Sequence, residues 1–315
     1  MRLLLAVLML LAAGSAWAAS PAVAAGLAFV VNSGSASISV VDMGAEKELR
    51  RIPVLREPHH LALSPDGREL LVGDTVGNEM LFLDPATGAV KRQVPVADPY
   101  QLGFSPNGRF LTVNGLARNQ VDVYDAATMK LLHRFPLASM PSHLAYAPDS
   151  SVVYVSLQGS DRLAAIDLTR MAVLWDAPVG RTPAGVLWHD GRVLVADMGA
   201  DDIAVVDPTD GRVERRIHVG RGAHQMFLSP DGRTIWVNAR VEGTTTALDA
   251  RSLAVTRTYR IPGGPDCIDF APDGKLWITR RWAEKVDVLD PATGATRSID
   301  VGRSPHGIFL NARAE

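Results

Sequence analysis

The sequence predicts an all-β chain: a propeller of seven four-stranded blades, its ring closed by a C-terminal strand that completes blade one. Three observations predict it. An aspartate recurs at a near-constant period, a Ser-Pro-Asp-Gly type turn recurs at fixed phase, and the N-terminal strand has the phase of a second strand rather than a first.

The aspartates are Asp42, Asp84, Asp125, Asp167, Asp207, Asp249 and Asp290, spaced 42, 41, 42, 40, 42 and 41 residues apart. A period near 40 with four short strands per unit is that of a propeller blade. The turns Ser64-Pro65-Asp66-Gly67, Ser105-Pro106-Asn107-Gly108, Ser229-Pro230-Asp231-Gly232 and Ala271-Pro272-Asp273-Gly274 mark one hairpin of each unit. Proline presets the first turn dihedral and glycine accepts a positive φ. Ala147-Pro148-Asp149-Ser150 and Trp188-His189-Asp190-Gly191 are variants at the same phase. A second hairpin carries Asp84-Pro85-Ala86-Thr87-Gly88 and, again, Asp290-Pro291-Ala292-Thr293-Gly294. β-Branched runs such as Ile38-Ser39-Val40-Val41 lie between the turns, and no segment has a helical period. Asn32 precedes Asp42 by the same ten residues that separate Asp74 from Asp84. Blade one therefore lacks an inner strand at the N-terminus, and Ile308-Phe309-Leu310 supplies it, which leaves no open sheet edge at the closure.

The N-terminus reads as a secretory signal peptide over residues 1–18. Arg2 is followed by an uncharged run from Leu3 to Ala13, and Ala16-Trp17-Ala18 offers small residues at the cleavage positions. The run is shorter than the roughly 20 residues a membrane span needs, so no membrane anchor is expected after cleavage. The propeller is assigned residues 19–315 and a periplasmic or secreted location, as a monomer. With a formal net charge of −2, the chain has no global field that would draw it to nucleic acid. Cys267 is the one cysteine, so stability rests on packing and not on disulfides.

Tyr154-Val155-Ser156, Trp236-Val237-Asn238 and Val30-Val31-Asn32, each followed by a strand ending in Asp, resemble the YVTN family of β-propeller repeats. The Ser-Pro-Asp-Gly turns and the link Pro305-His306-Gly307 are similar to that family too, over essentially the whole mature chain. The resemblance implies the fold; the family's activities are diverse, and function has to be argued from the site.

Inter-blade links lead into the inner strands and crowd the mouth of the central channel. Read in phase, they place His59, Tyr100, Ser142, Ala184, His224, Asp266 and His306 at equivalent positions. Because the ring closes, His224, Asp266, His306 and His59 form one contiguous arc, with Tyr100 next. Imidazoles and a carboxylate are the ligand types of a transition-metal site, and these four are the expected metal set. The adjacent phase holds His60, Gln101, His143, Gln225 and Cys267. Strand alternation argues that both sets cannot aim equally at the axis unless the links curve there, and Gly185 and Gly307 in the second set suggest close backbone packing, so the first is preferred.

On the same face, Arg118, Arg162, Arg240, Arg280 and Arg281 sit on loops joining second and third strands, with Trp282 among them. With Tyr100 they are the expected ligand-binding residues, since arginine beside an aromatic holds carboxylates and stacks on planar ligands. Asp74, Asp197, Asp201 and Asp202 make the face electrostatically two-sided. His133, His189 and His218 fall outside the mouth and read as structural or surface residues.

No nucleotide loop, nucleophile elbow, zincin helix or covalent haem motif is present, and no catalytic set is assigned. The sequence therefore points first to an exported binding module that takes a small molecule, cofactor or protein partner at the channel mouth. A second reading is a redox accessory protein carrying a divalent transition metal or noncovalent haem, by resemblance to the haem d1 domains of nitrite reductases. A third is a lactonase- or lyase-like enzyme with His224 or His306 as general base oriented by Asp266.

Overall fold

A computed structural model describes residues 26–312 apart from residue 138; the expected signal peptide, residues 1–18, lies outside the described residues. Seven four-stranded antiparallel sheets follow one another in chain order. The first is completed by Pro305–Asn311, which pairs with Leu27–Asn32 in the register Phe29 to Phe309 and closes the ring. The only helical element among the described residues is a single 3-10 turn at Ser33–Ser35. No helix among them is long and apolar enough to cross a membrane.

The recurring aspartate ends the third strand because its carboxylate accepts the backbone N–H groups of the following turn. Asp42 takes Ala45 N, Asp84 takes Ala86 N and Thr87 N, Asp125 takes Thr128 N and Asp167 takes Thr169 N, all at 2.8–3.0 Å. Asp207, Asp249 and Asp290 do the same at 2.8–2.9 Å. This is the Asx turn, in which a short acidic side chain replaces a backbone acceptor.

The apolar core is not central but lies in seven layers, one between each pair of neighbouring blades. Phe29, Val31, Ile38 and Val40 of blade one, for example, pack on Leu70, Val72, Leu81 and Leu83 of blade two. Second and third strands are buried while fourth strands face solvent, as in Val90–Pro95. The axis is left to the first residues of the inner strands, where the site forms.

Candidate functional site in the central channel

Inner strands enter the ring through a β-bulge. In blade two Pro58 pairs with Asp74 and Leu61 with Val72, so His59 and His60 together oppose one residue, Gly73. The same extra residue occurs at Ser142-His143, Ala184-Gly185, Asp266-Cys267 and His306-Gly307, and at His224 in blade six. A bulge breaks the two-residue alternation of a strand, and the expectation that only one set of link residues aims at the axis is corrected here. His60 and His143 reach the channel as well. Their rings lie 5.3 Å apart although they belong to blades two and four, and His143 is 5.1 Å from His224 of blade six. Such contacts between non-neighbouring blades can only be made across the axis.

Five of the eight histidines thus form one cluster: His59, His60, His143, His224 and His306, each no more than 5% exposed. His306 lies 3.8 Å from His59 and 4.5 Å from His60, centroid to centroid, and Tyr100 stacks on His59 at 4.0 Å. The glycines predicted to pack closely do so. A Cβ on Gly185 would meet Gln225 Cα and the His224 carbonyl at 2.7 Å, so glycine makes room for the neighbouring imidazole's strand.

The last residue of the YVTN-like motif positions the site of the next blade. Asn238 Nδ2 donates to the Asp266 carbonyl and Asn114 Nδ2 to the Ser142 carbonyl, both at 2.9 Å. Ser156 Oγ donates to the Ala184 carbonyl and Thr279 Oγ1 to the His306 carbonyl, both at 2.7 Å. Thr279 Oγ1 also accepts Cys267 N at 2.9 Å. One polar side chain therefore ties its own blade's bulge to the next.

Asp266 is the charged hub, with no exposed surface. Its Oδ1 accepts Arg240 Nε at 3.0 Å as well as Arg240 Nη2, and its Oδ2 accepts Arg281 Nη1 at 3.4 Å. His224 Nδ1 stands 3.0 Å from Oδ1 but out of line for a hydrogen bond, and His306 Nε2 lies 3.6 Å from Oδ2. Burial works to raise the Asp266 pKa, but the Arg240 charge, His224 and the Arg281 charge hold it well below the usual carboxylate range. Burial lowers all five imidazoles: His60 to about 3, His224 to about 4, and His59, His143 and His306 well below the ordinary value. At neutral pH the cluster is therefore uncharged, and two guanidiniums share one carboxylate. Around Asp266 guanidiniums therefore outnumber carboxylates two to one.

Of the other arginines expected to bind ligand, Arg118 donates to Asn78 Oδ1, Arg162 pairs with Asp176 and Arg280 with Asp287 and the Pro262 carbonyl. Only Arg240 and Arg281 reach the channel. Trp282 is 60% exposed beside them, its ring resting on Gly264, whose φ of +71° and lack of Cβ the contact requires. Cys267 is buried, its Sγ 3.2 Å from Gln225 Oε1, and burial raises its pKa well above the usual thiol range. Asp74 and Asp197 are buried loop fasteners: Asp74 accepts Arg56 N and Glu57 N, and Asp197 pairs with Arg216. His189 bonds the Ala250 carbonyl and His133 packs on Phe135, both away from the channel.

The fold and this mouth define a seven-bladed propeller with a polar, histidine-filled channel under two arginines. Residues 2–315 match the YNCE-like beta-propeller family, and the chain belongs to it. It is 26% identical over 196 residues to Protein NirF of Pseudomonas aeruginosa, an alignment covering 57% of this chain and 50% of NirF. The chain thus matches about half the length of that relative. Among solved structures it is similar to the dihydro-heme d1 dehydrogenase NirN in complex with DHE, with a TM-score of 0.68 and 17% identity over 93% of this chain and 76% of that one. A functionally unknown protein from Desulfotomaculum acetoxidans superposes with a TM-score of 0.77 and 12% identity over 90% of this chain and 98% of that one. A candidate 6-phosphogluconolactonase from Bacteroides uniformis gives 0.71 and 17% over 90% and 99%. These structural likenesses carry the fold.

Proposed function

We propose that this protein is an exported ligand-binding propeller whose channel mouth receives a planar, anionic ligand of the tetrapyrrole class. The observation that carries the reading is the charge imbalance at the mouth. Arg240 and Arg281 converge on the single carboxylate of Asp266 above neutral imidazoles, with the exposed face of Trp282 alongside. A unit positive charge attracts an anionic group at 4 Å by about 4 kcal/mol at an effective dielectric near 20. Arginine's fork matches a carboxylate, and the indole offers a planar ligand a stacking surface. The fold shared with NirN, whose name carries heme d1, supports this class of ligand.

In this reading residues 1–18 are a cleaved leader, the mature chain works as a monomer in the periplasm or outside the cell, and the histidines beneath the mouth are its metal-ligating groups. The chain's own residues supply recognition: Arg240 and Arg281 meet the acid groups, and Trp282 meets the plane.

Titration of the purified mature protein with iron protoporphyrin IX tests this. A saturable shift of the Soret band is expected, weakened at least about tenfold in Arg281→Ala and more in the Arg240→Ala/Arg281→Ala pair. Absence of a saturable shift in the native chain, or equal affinity in the double variant, sinks the proposal.

A further inference from the structure

The imidazole cluster contains two sets of three groups close enough to share an ion: His59, His60 and His306, and His224, Asp266 and His306. They are not equivalent. In the second, Asp266 is already held by Arg240 through Oδ1 and by Arg281 through Oδ2, and Arg240 Nη2 also lies 3.3 Å from His306 Nε2. A guanidinium occupies the space an ion would need, and a cation entering there would have to expel two arginines from a buried carboxylate.

In the first set that competition falls on His306 alone, whose Nε2 lies 3.3 Å from Arg240 Nη2 and whose Nδ1 lies 3.6 Å from Cys267 Sγ, and no carboxylate is involved. The set's bulge presents His59 and His60 consecutively from one strand, and ring closure brings His306 from the adjoining blade against both. One ring nitrogen from each can be chosen so that all lie within 4.8 Å of one another. His59 Nδ1 and His60 Nε2 are buried with no hydrogen-bond partner. An unpaired buried polar atom costs roughly 1–3 kcal/mol, and a shared ion would give both nitrogens a partner. Tyr100 stacked on His59 fixes one ring plane.

We propose that His59, His60 and His306 bind one transition-metal ion of the zinc, cobalt or copper class, separately from any ligand at the mouth. Three neutral imidazoles with no carboxylate select such borderline ions over magnesium or calcium. On a tetrahedral ion with bonds of about 2.0–2.1 Å ligand nitrogens lie roughly 3.3 Å apart, so from separations within 4.8 Å loading draws them together by at most about 1.5 Å. A three-imidazole site leaves the fourth position for water or a ligand atom. Arg240 keeps two bonds to Asp266 when its long contact to His306 is given up, so the charged hub survives loading.

The test uses mature protein, freed of any affinity tag and stripped with chelator, with cobalt(II) or zinc(II) alone as probe. One equivalent should be retained against a competing chelator, and X-ray absorption of the zinc-loaded native protein should count three imidazoles and no carboxylate from the chain. His60→Gln and His59→Gln should weaken binding at least about 100-fold, while His189→Asn, at a ring bonded to the Ala250 carbonyl away from the channel, should change it less than about threefold. Failure to retain an equivalent overturns the proposal. So does a carboxylate oxygen from the chain in the ion's shell, or loss of binding in His224→Asn with retention in His60→Gln. The native-protein spectrum decides even where a variant fails to fold. Porphyrin binding is read at a different band and by different residues, so either proposal can fail without the other.

Discussion

The Asp269 carboxylate accepts the backbone N–H of Leu310 at 2.7 Å, so the inner strand of the last blade grips the strand that closes the ring. Burial raises the Asp269 pKa to about 6, partly offset by the Leu310 and Phe270 amides. The folded value therefore exceeds the unfolded value of about 3.9. The native state holds the extra proton between the two, so the stability this group contributes is present below about pH 4 and is lost as pH rises through 6. An amide at this position does not titrate. The stability advantage of the native chain over Asp269→Asn should shrink by about 2–3 kcal/mol between pH 4 and pH 8, measured by urea unfolding. A constant or growing difference would show that the carboxylate is not raised.

Thr279 joins two blades at the site, with Oγ1 donating to the His306 carbonyl and accepting Cys267 N. Thr279→Val keeps the volume and removes both bonds, leaving two buried backbone groups unpaired. We expect a loss of about 1–3 kcal/mol in unfolding free energy. Binding at the channel should weaken as well, because His306 loses its anchor. An unchanged midpoint in denaturant would contradict this.

Asp266→Asn leaves Arg240 and Arg281 facing each other without a counter-charge. Breaking a buried pair costs roughly 3–5 kcal/mol, and the lower end is expected because both guanidiniums retain some contact with solvent. Sulfate or another multivalent anion should recover part of the loss, read as a rise in melting temperature larger than in the native chain. Equal responses to anion in both proteins would argue against an electrostatic hub.

Gly264→Ala separates the mouth from the channel. The new Cβ would lie 2.7 Å from Trp282 Cδ2 at a residue with φ of +71°, a conformation that costs an alanine roughly 1–2 kcal/mol. The indole has to leave its seat, so porphyrin affinity should fall several-fold while cobalt binding stays within about twofold. Parallel loss of both would mean that the substitution disturbs the whole ring.

The blade count, the closing strand and the convergence of His59, His224, Asp266 and His306 were all legible from periodicity. Repeats are in phase only if equivalent residues occupy equivalent places in space, so a list of distant residues becomes a ring. The approach of His60 and His143 to the axis was not legible. Strand parity separates neighbours, and the bulge that defeats it follows no single residue, since it comes after Pro58, Pro141 and Pro265 but also after Ala223. The arginines illustrate a second limit. Loop position placed all five on one face, but whether a guanidinium reaches the channel turns on local acids. Asp176 and Asp287 hold Arg162 and Arg280 back, and only Asp266 draws Arg240 and Arg281 inward.

The hydrogen bonds from Asn114, Ser156, Asn238 and Thr279 into the following blade make the heritable unit of this site out of step with the repeat itself. A duplication or graft cut at a blade boundary delivers a histidine or aspartate to the channel but leaves its anchor behind on the donor's preceding blade. Transplants that carry the second strand of one blade together with the inner strand of the next should retain the geometry. Swaps of whole blades into a foreign ring inherit whatever anchor the host already has. Recombination among such repeats can therefore change the channel's contents freely only where neighbouring anchors are interchangeable, as the amide and hydroxyl side chains here already are.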